Sequence, residues 1–160
     1  MRSAAAGRNY TIEVGRFVEE TEFNDLPGPV IDRAKLAILD ALGIAIGAYG
    51  TRHQVVRSLI DMTPEISGAE QSTIIGAGKR TSSLDAAMAN AVLANFLDFS
   101  DGHYAGGHIN DRVVPAALSL AECIGSNGEQ LITAVALAYE IYIRLAYSLF
   151  KTSESVGRIP

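Results

Sequence analysis

Between positions 98 and 111 the chain carries Asp98, Asp101, Asp111, His103 and His108, two of its three histidines, although only 19% of its residues are charged. Asp98 and Asp101 are three apart, so a helix running through them would project both from one side. Neighbouring carboxylates raise the pKa of one of the pair toward the range where a general acid or base works, and histidine already titrates there. A segment holding Asp98, Asp101 and His108 can therefore take a proton from a carbon beside a carboxylate, or protonate a leaving hydroxyl. His103, Asn95, Gly102 and Tyr104 are the candidates for touching the substrate. The competing role for such side chains is helix capping, which is the expectation for Asn110 or Asp111 ahead of Arg112. Asp98, Asp101, His103 and His108 also offer oxygen and nitrogen donors for zinc, manganese or iron, but their spacing fits no strict signature such as H-E-x-x-H, and no metal is expected. Nucleophilic catalysis would need an activated Ser or Cys beside the histidine, and no G-x-S-x-G elbow is present. His53, alone on a short helix, is expected to be a surface or locally satisfied histidine.

Two elements must position this segment. Residues 82–97 and 112–124 read as apolar, alanine-rich helices, and between them Gly102, Gly106 and Gly107 permit tight turns close to a ligand. Ser82-Ser-Leu-Asp85 has the spacing of an N-terminal cap, and Leu84, Met88, Ala91, Val92 and Phe96 are expected to point inward. Upstream, Thr11–Thr21 shows a helical stripe of Ile12, Val14, Phe17 and Val18. A second helix starts near Pro29 and runs to about Tyr49, apolar all round after Asp40, with Gly43 and Gly47 placed for close helix approach. Thr51 and Gln54 suggest a capping box opening a short helix to about Met62, followed by a polar loop over 64–71. Ser72–Gly76 reads as one isolated strand. Gly76-Ala-Gly78-Lys79 lacks the spacing of a phosphate-binding loop. Ser126-Asn-Gly-Glu129 offers a cap to a last helix over about 128–150, whose Tyr139, Tyr142 and Tyr147 are expected to pack in the core or an interface. Four long helical patterns with short connections predict an all-α helical bundle.

At 160 residues the chain suits one domain. We expect a flexible tail over 1–8 and a single helical domain over 9–160. The hydrophobic fraction of 48% and mean hydropathy of +0.18 are high for a soluble monomer, so part of the apolar surface is expected to meet another chain. A net charge of −5 without a Lys/Arg cluster argues against nucleic acid as a partner. One cysteine, Cys123, excludes an intrachain disulfide and a Cys-based metal cage, and it reads as a buried structural thiol. The N-terminus has no apolar core of signal-peptide length, which places the protein in the cytoplasm. Glu140 and Arg144 interrupt the apolar window 131–150 at i,i+4 spacing, so no membrane span is expected.

Several runs together resemble the N-terminal helical domain of the MmgE/PrpD family, which includes 2-methylcitrate dehydratase, cis-aconitate decarboxylase and an iminodisuccinate epimerase. They are Leu97-Asp98-Phe-Ser-Asp101-Gly-His103, His108, Pro115-Ala-Ala-Leu118 with Ala121-Glu122, and Gly128 followed by Leu131, Ala134, Tyr139-Glu140 and Arg144-Leu145. Asp40-Ala-Leu-Gly43, Gly76 and Ala87–Asn90 also fit. The resemblance implies cofactor-free abstraction of a proton next to a carboxylate or carbonyl, followed by dehydration, decarboxylation or isomerisation of a small molecule. It casts Asp98 as base or carboxylate-orienting group, His108 as acid or anion binder, and Asp101 as their support. Against the family pattern, Asn95 replaces a histidine, Ser100-Asp101 a double acid, Gly102 a threonine, and His108-Ile-Asn110 the run H-P-S. Gly157-Arg-Ile-Pro160 lacks a catalytic histidine. The family's lid domain is missing too, so the expected arrangement is a subunit or N-terminal portion completed by a second polypeptide, with homodimerisation. The alternative is a non-catalytic scaffold or binding subunit of such a complex, and behind it a metal-dependent hydrolase.

Overall fold

Asn9 starts the first helix, α1 (Tyr10–Glu20), by accepting the Ile12 amide on its side-chain oxygen at 3.3 Å. The computed structural model describes residues 9–67 and 69–155, the side chains of 64–67 and 152–155 excepted. The expected tail over 1–8 and the run Gly157–Pro160 lie outside the described residues. After a single 3-10 turn over Phe23–Asp25, α2 (Gly28–Gly50) begins with Pro29 in its first turn, where a missing N–H costs no helical hydrogen bond. There follow α3 (Gln54–Ser67), β1 (Ser72–Ile74), β2 (Lys79–Thr81), α4 (Ser83–Asn95), β3 (Gly102–His103), β4 (Gly107–His108), α5 (Asn110–Ile124) and α6 (Gly128–Ser155). β1 pairs antiparallel with β2, and β3 with β4. The helices carry the fold, as the sequence predicts.

Small side chains set the packing. One core cluster joins Ala45 and Ala48 of α2, Val56 and Ile60 of α3, Ile74 of β1, and Ala89 and Leu93 of α4. A second joins Ala34 and Ala41 of α2, Val114 of α5 and Val135 of α6. Alanines at these crossings let helix backbones approach closely. Gly47 serves the same end, since a Cβ there would lie 3.3 Å from Leu97 Cδ1, whereas Gly43 has nothing within 4 Å.

The β1–β2 hairpin is fastened to the helices by polar side chains. Buried Asn90 of α4 accepts the Ile75 amide at 2.8 Å and donates to the Thr73 carbonyl at 2.9 Å. Ser72 donates to the Ser119 carbonyl of α5 at 2.6 Å. A side-chain amide supplies both a donor and an acceptor, which is what an unpaired strand edge demands.

Several expectations are corrected. The predicted isolated strand is half of a hairpin, because Gly76 and Gly78 take positive φ (79° and 63°) and turn the chain back. α3 runs to Ser67, taking up the first four residues of the loop expected over 64–71, while 69–71 are non-helical. Thr51 closes α2, its hydroxyl donating to the Ala48 carbonyl, and His53 heads α3, its Nδ1 accepting the Val55 amide at 3.3 Å. The cap of α6 is one residue later than expected: Asn127 and Gln130 exchange backbone-to-side-chain hydrogen bonds, both 2.9 Å. Leu84, Met88 and Val92 of α4 face outward at 78%, 45% and 37% exposure, and Ala86, Ala89, Asn90, Leu93 and Ala94 form the buried face. The second half of α2 is buried on one side only, since Ile46 and Tyr49 are exposed. Cys123 is partly buried.

Candidate active site

α4 stops at Asn95, and the Asp98 amide bonds the Asn95 carbonyl at 2.9 Å. Asp98 then adopts φ of 55°, a left-handed conformation that Asp tolerates better than most residues. This turn takes the chain out of the helix, so Asp98 and Asp101 do not share a helical face and head in different directions.

Asp98 meets His108 across the loop, His108 Nε2 lying 3.8 Å from Asp98 Oδ1. The pair is open to solvent, with side-chain exposures of 85% for Asp98 and 42% for His108. On its other side the imidazole is held, Nδ1 being 2.5 Å from the half-buried Ser100 hydroxyl. The Arg112 guanidinium donates to the His108 carbonyl. β3 and β4 pair Gly102 with His108 and His103 with Gly107, so the hairpin fixes where His108 stands.

Asp101 turns inward. Its Oδ1 accepts the Asn110 amide at 2.9 Å and its Oδ2 accepts the Tyr139 hydroxyl at 2.7 Å. Asp101 thus satisfies the first free amide of α5 and favours the positive end of that helix, while tying it to α6. The Asn110 side chain donates to Asp40 of α2 at 2.6 Å, leaving its own buried Oδ1 without a hydrogen-bond partner. Asp111, expected as a cap, is instead buried in the first turn and accepts from the Asn95 side chain at 2.6 Å. Burial raises the Tyr139 pKa far above its ordinary 10.0; the Asp101 hydrogen bond and the negative charges of Asp101, Asp40 and Asp111 raise it further.

A pocket of about 600 Å³ opens between α2, the loop and α6. Arg33 and Asp40 line it from α2, Asp101, Gly102 and His103 from the loop, and Tyr139 and Glu140 from α6, on otherwise apolar walls. Gly106 lets the loop lie on α6, because a Cβ there would come within 3.2 Å of the Tyr142 ring.

The structure therefore divides the predicted residues into two groups. Asp101, Gly102 and His103 reach the pocket, whereas Asp98 and His108 pair outside it. Asn95 is drawn to Asp111, and Tyr104 is 70% exposed and donates its hydroxyl to that of Tyr147 at 3.0 Å. Sequence reasoning passed over Arg33, Asp40 and Ser100 as site residues, and it read Tyr139 as packing alone. The signal for Asp40 was its position at the start of the apolar half of α2. The signal for Ser100 was that the Ser100-Asp101 run replaces a double acid of the family pattern. Among the described residues no three His, Cys, Asp or Glu side chains gather so as to hold a metal ion.

Residues 13–156 match the MmgE/PrpD N-terminal domain. Among curated proteins, the chain is similar to a cis-aconitate decarboxylase of Aspergillus terreus, 27% identical over 76% of this chain and 24% of that protein. It is also similar to the cis-aconitate decarboxylase-like protein oryM of Aspergillus oryzae, 28% identical over 93% of this chain and 30% of the relative. The chain thus spans less than a third of the length of these relatives. No solved structure matches it. With the family domain covering nearly all of the described residues on an all-α framework, this chain belongs to the MmgE/PrpD family.

Proposed function

We propose that this chain is the N-terminal helical part of an MmgE/PrpD-type lyase or isomerase. It acts without a cofactor on a small carboxylate or carbonyl compound, removing a proton beside that group before dehydration, decarboxylation or isomerisation. The observation that carries this reading is the facing pair Asp98 and His108, 3.8 Å apart on the loop that also lines the pocket. Asp98 is the base or carboxylate-orienting group and His108 the acid or anion binder. Asp101 holds the loop in register through Asn110 and Tyr139.

Both site residues are open to water here, and proton transfer of this kind needs a drier surrounding. The remainder of the family fold, whether on the same polypeptide or on a second one, would close over the loop. Exposed apolar side chains such as Phe99 at 75% and Leu84 at 78% support such a cover. α6 supports it as well: its segment Gly128–Lys151 is long and apolar enough to cross a membrane, yet within it only Val135 and Leu137 are buried within the chain. The Glu140–Arg144 ion pair on this helix favours a protein cover over lipid.

The test is turnover in the assembled enzyme, followed by NMR as proton-for-deuterium exchange in small di- and tricarboxylates. Asp98→Asn and His108→Ala should each lower the rate by about 10²-fold or more, the usual contribution of a positioned acid or base. Unchanged turnover would favour the second reading, a non-catalytic scaffold subunit. The 85% exposure of Asp98 and its position outside the pocket are what favour that reading.

A further inference from the structure

We infer that Ser100 is a positioning residue that locks His108 as the Nε2–H tautomer, so that the neutral imidazole presents a proton rather than a lone pair on its solvent-facing side. The tautomer follows from what lies at each ring nitrogen. Nε2 faces the Asp98 carboxylate at 3.8 Å, and an ionised carboxylate can only accept. A lone pair at Nε2 would face negative charge, so the proton belongs there. Neutral imidazole has one N–H, which leaves Nδ1 as acceptor. Ser100 Oγ, 2.5 Å away, must then donate to it. A hydroxyl can rotate to donate or accept, so Ser100 suits this arrangement, whereas an ionised acid at the same position would demand a proton on Nδ1 and select the opposite tautomer.

The surroundings hold the ring in place. Ser100 is half-buried, and the β3–β4 pairing sets His108 opposite Gly102. The charged groups near His108 are Asp98 at Nε2 and Arg112 on its backbone carbonyl, with Asp111 beside Arg112 at 3.4 Å. Resting on the proposed function, this divides the labour of the pair: neutral His108 offers its Nε2–H as a hydrogen-bond donor to negative charge developing on the substrate, and the base must be Asp98. His108 cannot accept a proton at Nε2 without first losing the one it carries.

The test is the ¹⁵N NMR tautomer pattern of the imidazoles in the full chain, at a pH where His108 is neutral, with His53 and His103 as internal references. The wild-type spectrum should show His108 Nδ1 unprotonated and Nε2 protonated. Ser100→Ala should reduce the bias toward this tautomer about fivefold, the factor matching a hydrogen bond of about 1 kcal/mol, and Ser100→Thr should restore it. A wild-type Nδ1–H tautomer, or a pattern unmoved by Ser100→Ala with the other two histidines unchanged, would overturn the inference. The wild-type spectrum decides the tautomer by itself if Ser100→Ala disturbs the fold. The outcome is separable from the catalytic reading: normal turnover in Asp98→Asn with the tautomer as stated would sink the acid–base chemistry and leave the Ser100 lock standing.

Discussion

Asp101 and Tyr139 form the best-anchored contact of the site. The carboxylate is shared between the Asn110 amide and the Tyr139 phenol, and the phenol is half-buried among three acids. Such a tyrosine resists ionisation, and that couples its proton to folding. Its folded pKa lies above the unfolded value of 10.0, so the folded chain retains a proton that the unfolded chain releases at alkaline pH. The stabilisation is complete below about pH 10 and is lost as pH rises through the folded pKa. Denaturation midpoints should therefore fall from about pH 10 upward, and Tyr139→Phe should remove that component of the fall. At neutral pH the same substitution should cost about 1–3 kcal/mol in urea unfolding, because it deprives a carboxylate of a donor.

At the scale of elements, the β1–β2 hairpin shows how local conformation and packing meet at one glycine. Gly76 sits at φ of 79°, and a Cβ built there would approach the Tyr49 ring of α2 to 3.0–3.1 Å. Both costs fall on the same residue, so Gly76→Ala should destabilise by about 2 kcal/mol or more, against about 1 kcal/mol for a left-handed strain alone. Gly78→Ala is the control. It has positive φ but open space around it, and thermal melts should show a smaller loss. The β3–β4 hairpin plays the corresponding part for the site, presenting His108 and laying Gly106 against Tyr142 of α6.

For the molecule as a whole, the amount of apolar surface left uncovered is the main feature. Leu84, Met88 and Val92 make an exposed stripe on α4, and Leu36, Leu39 and Ile46 are exposed on α2. The chain alone should self-associate or bind a partner through these faces. Leu84→Lys with Met88→Lys should shift the purified chain toward monomer in light scattering and leave its helical circular dichroism unchanged, since neither side chain is buried. An unaltered mass distribution would show that another face drives association.

Much was legible from order along the chain. The helical bundle, the Ser82 cap, the Pro29 start and the glycine-punctuated loop are local properties, set by periodicity, caps and backbone freedom within a few residues. The inward face of α4 was misjudged because Leu84, Met88 and Val92 form as regular an apolar stripe as any core would show. Burial there fell instead to Ala86, Ala89 and Ala94 together with Asn90 and Leu93, one helical step round from that stripe. Sequence by itself determined the family and which acids and imidazoles share one loop. Only the tertiary structure decided that Asp98 faces His108, that Asp101 turns to Tyr139 and the pocket, and that Ser100 holds the imidazole. Those pairings join residues up to tens of positions apart through a left-handed turn and a small hairpin, and direction in space is not encoded in spacing once the chain leaves a regular helix.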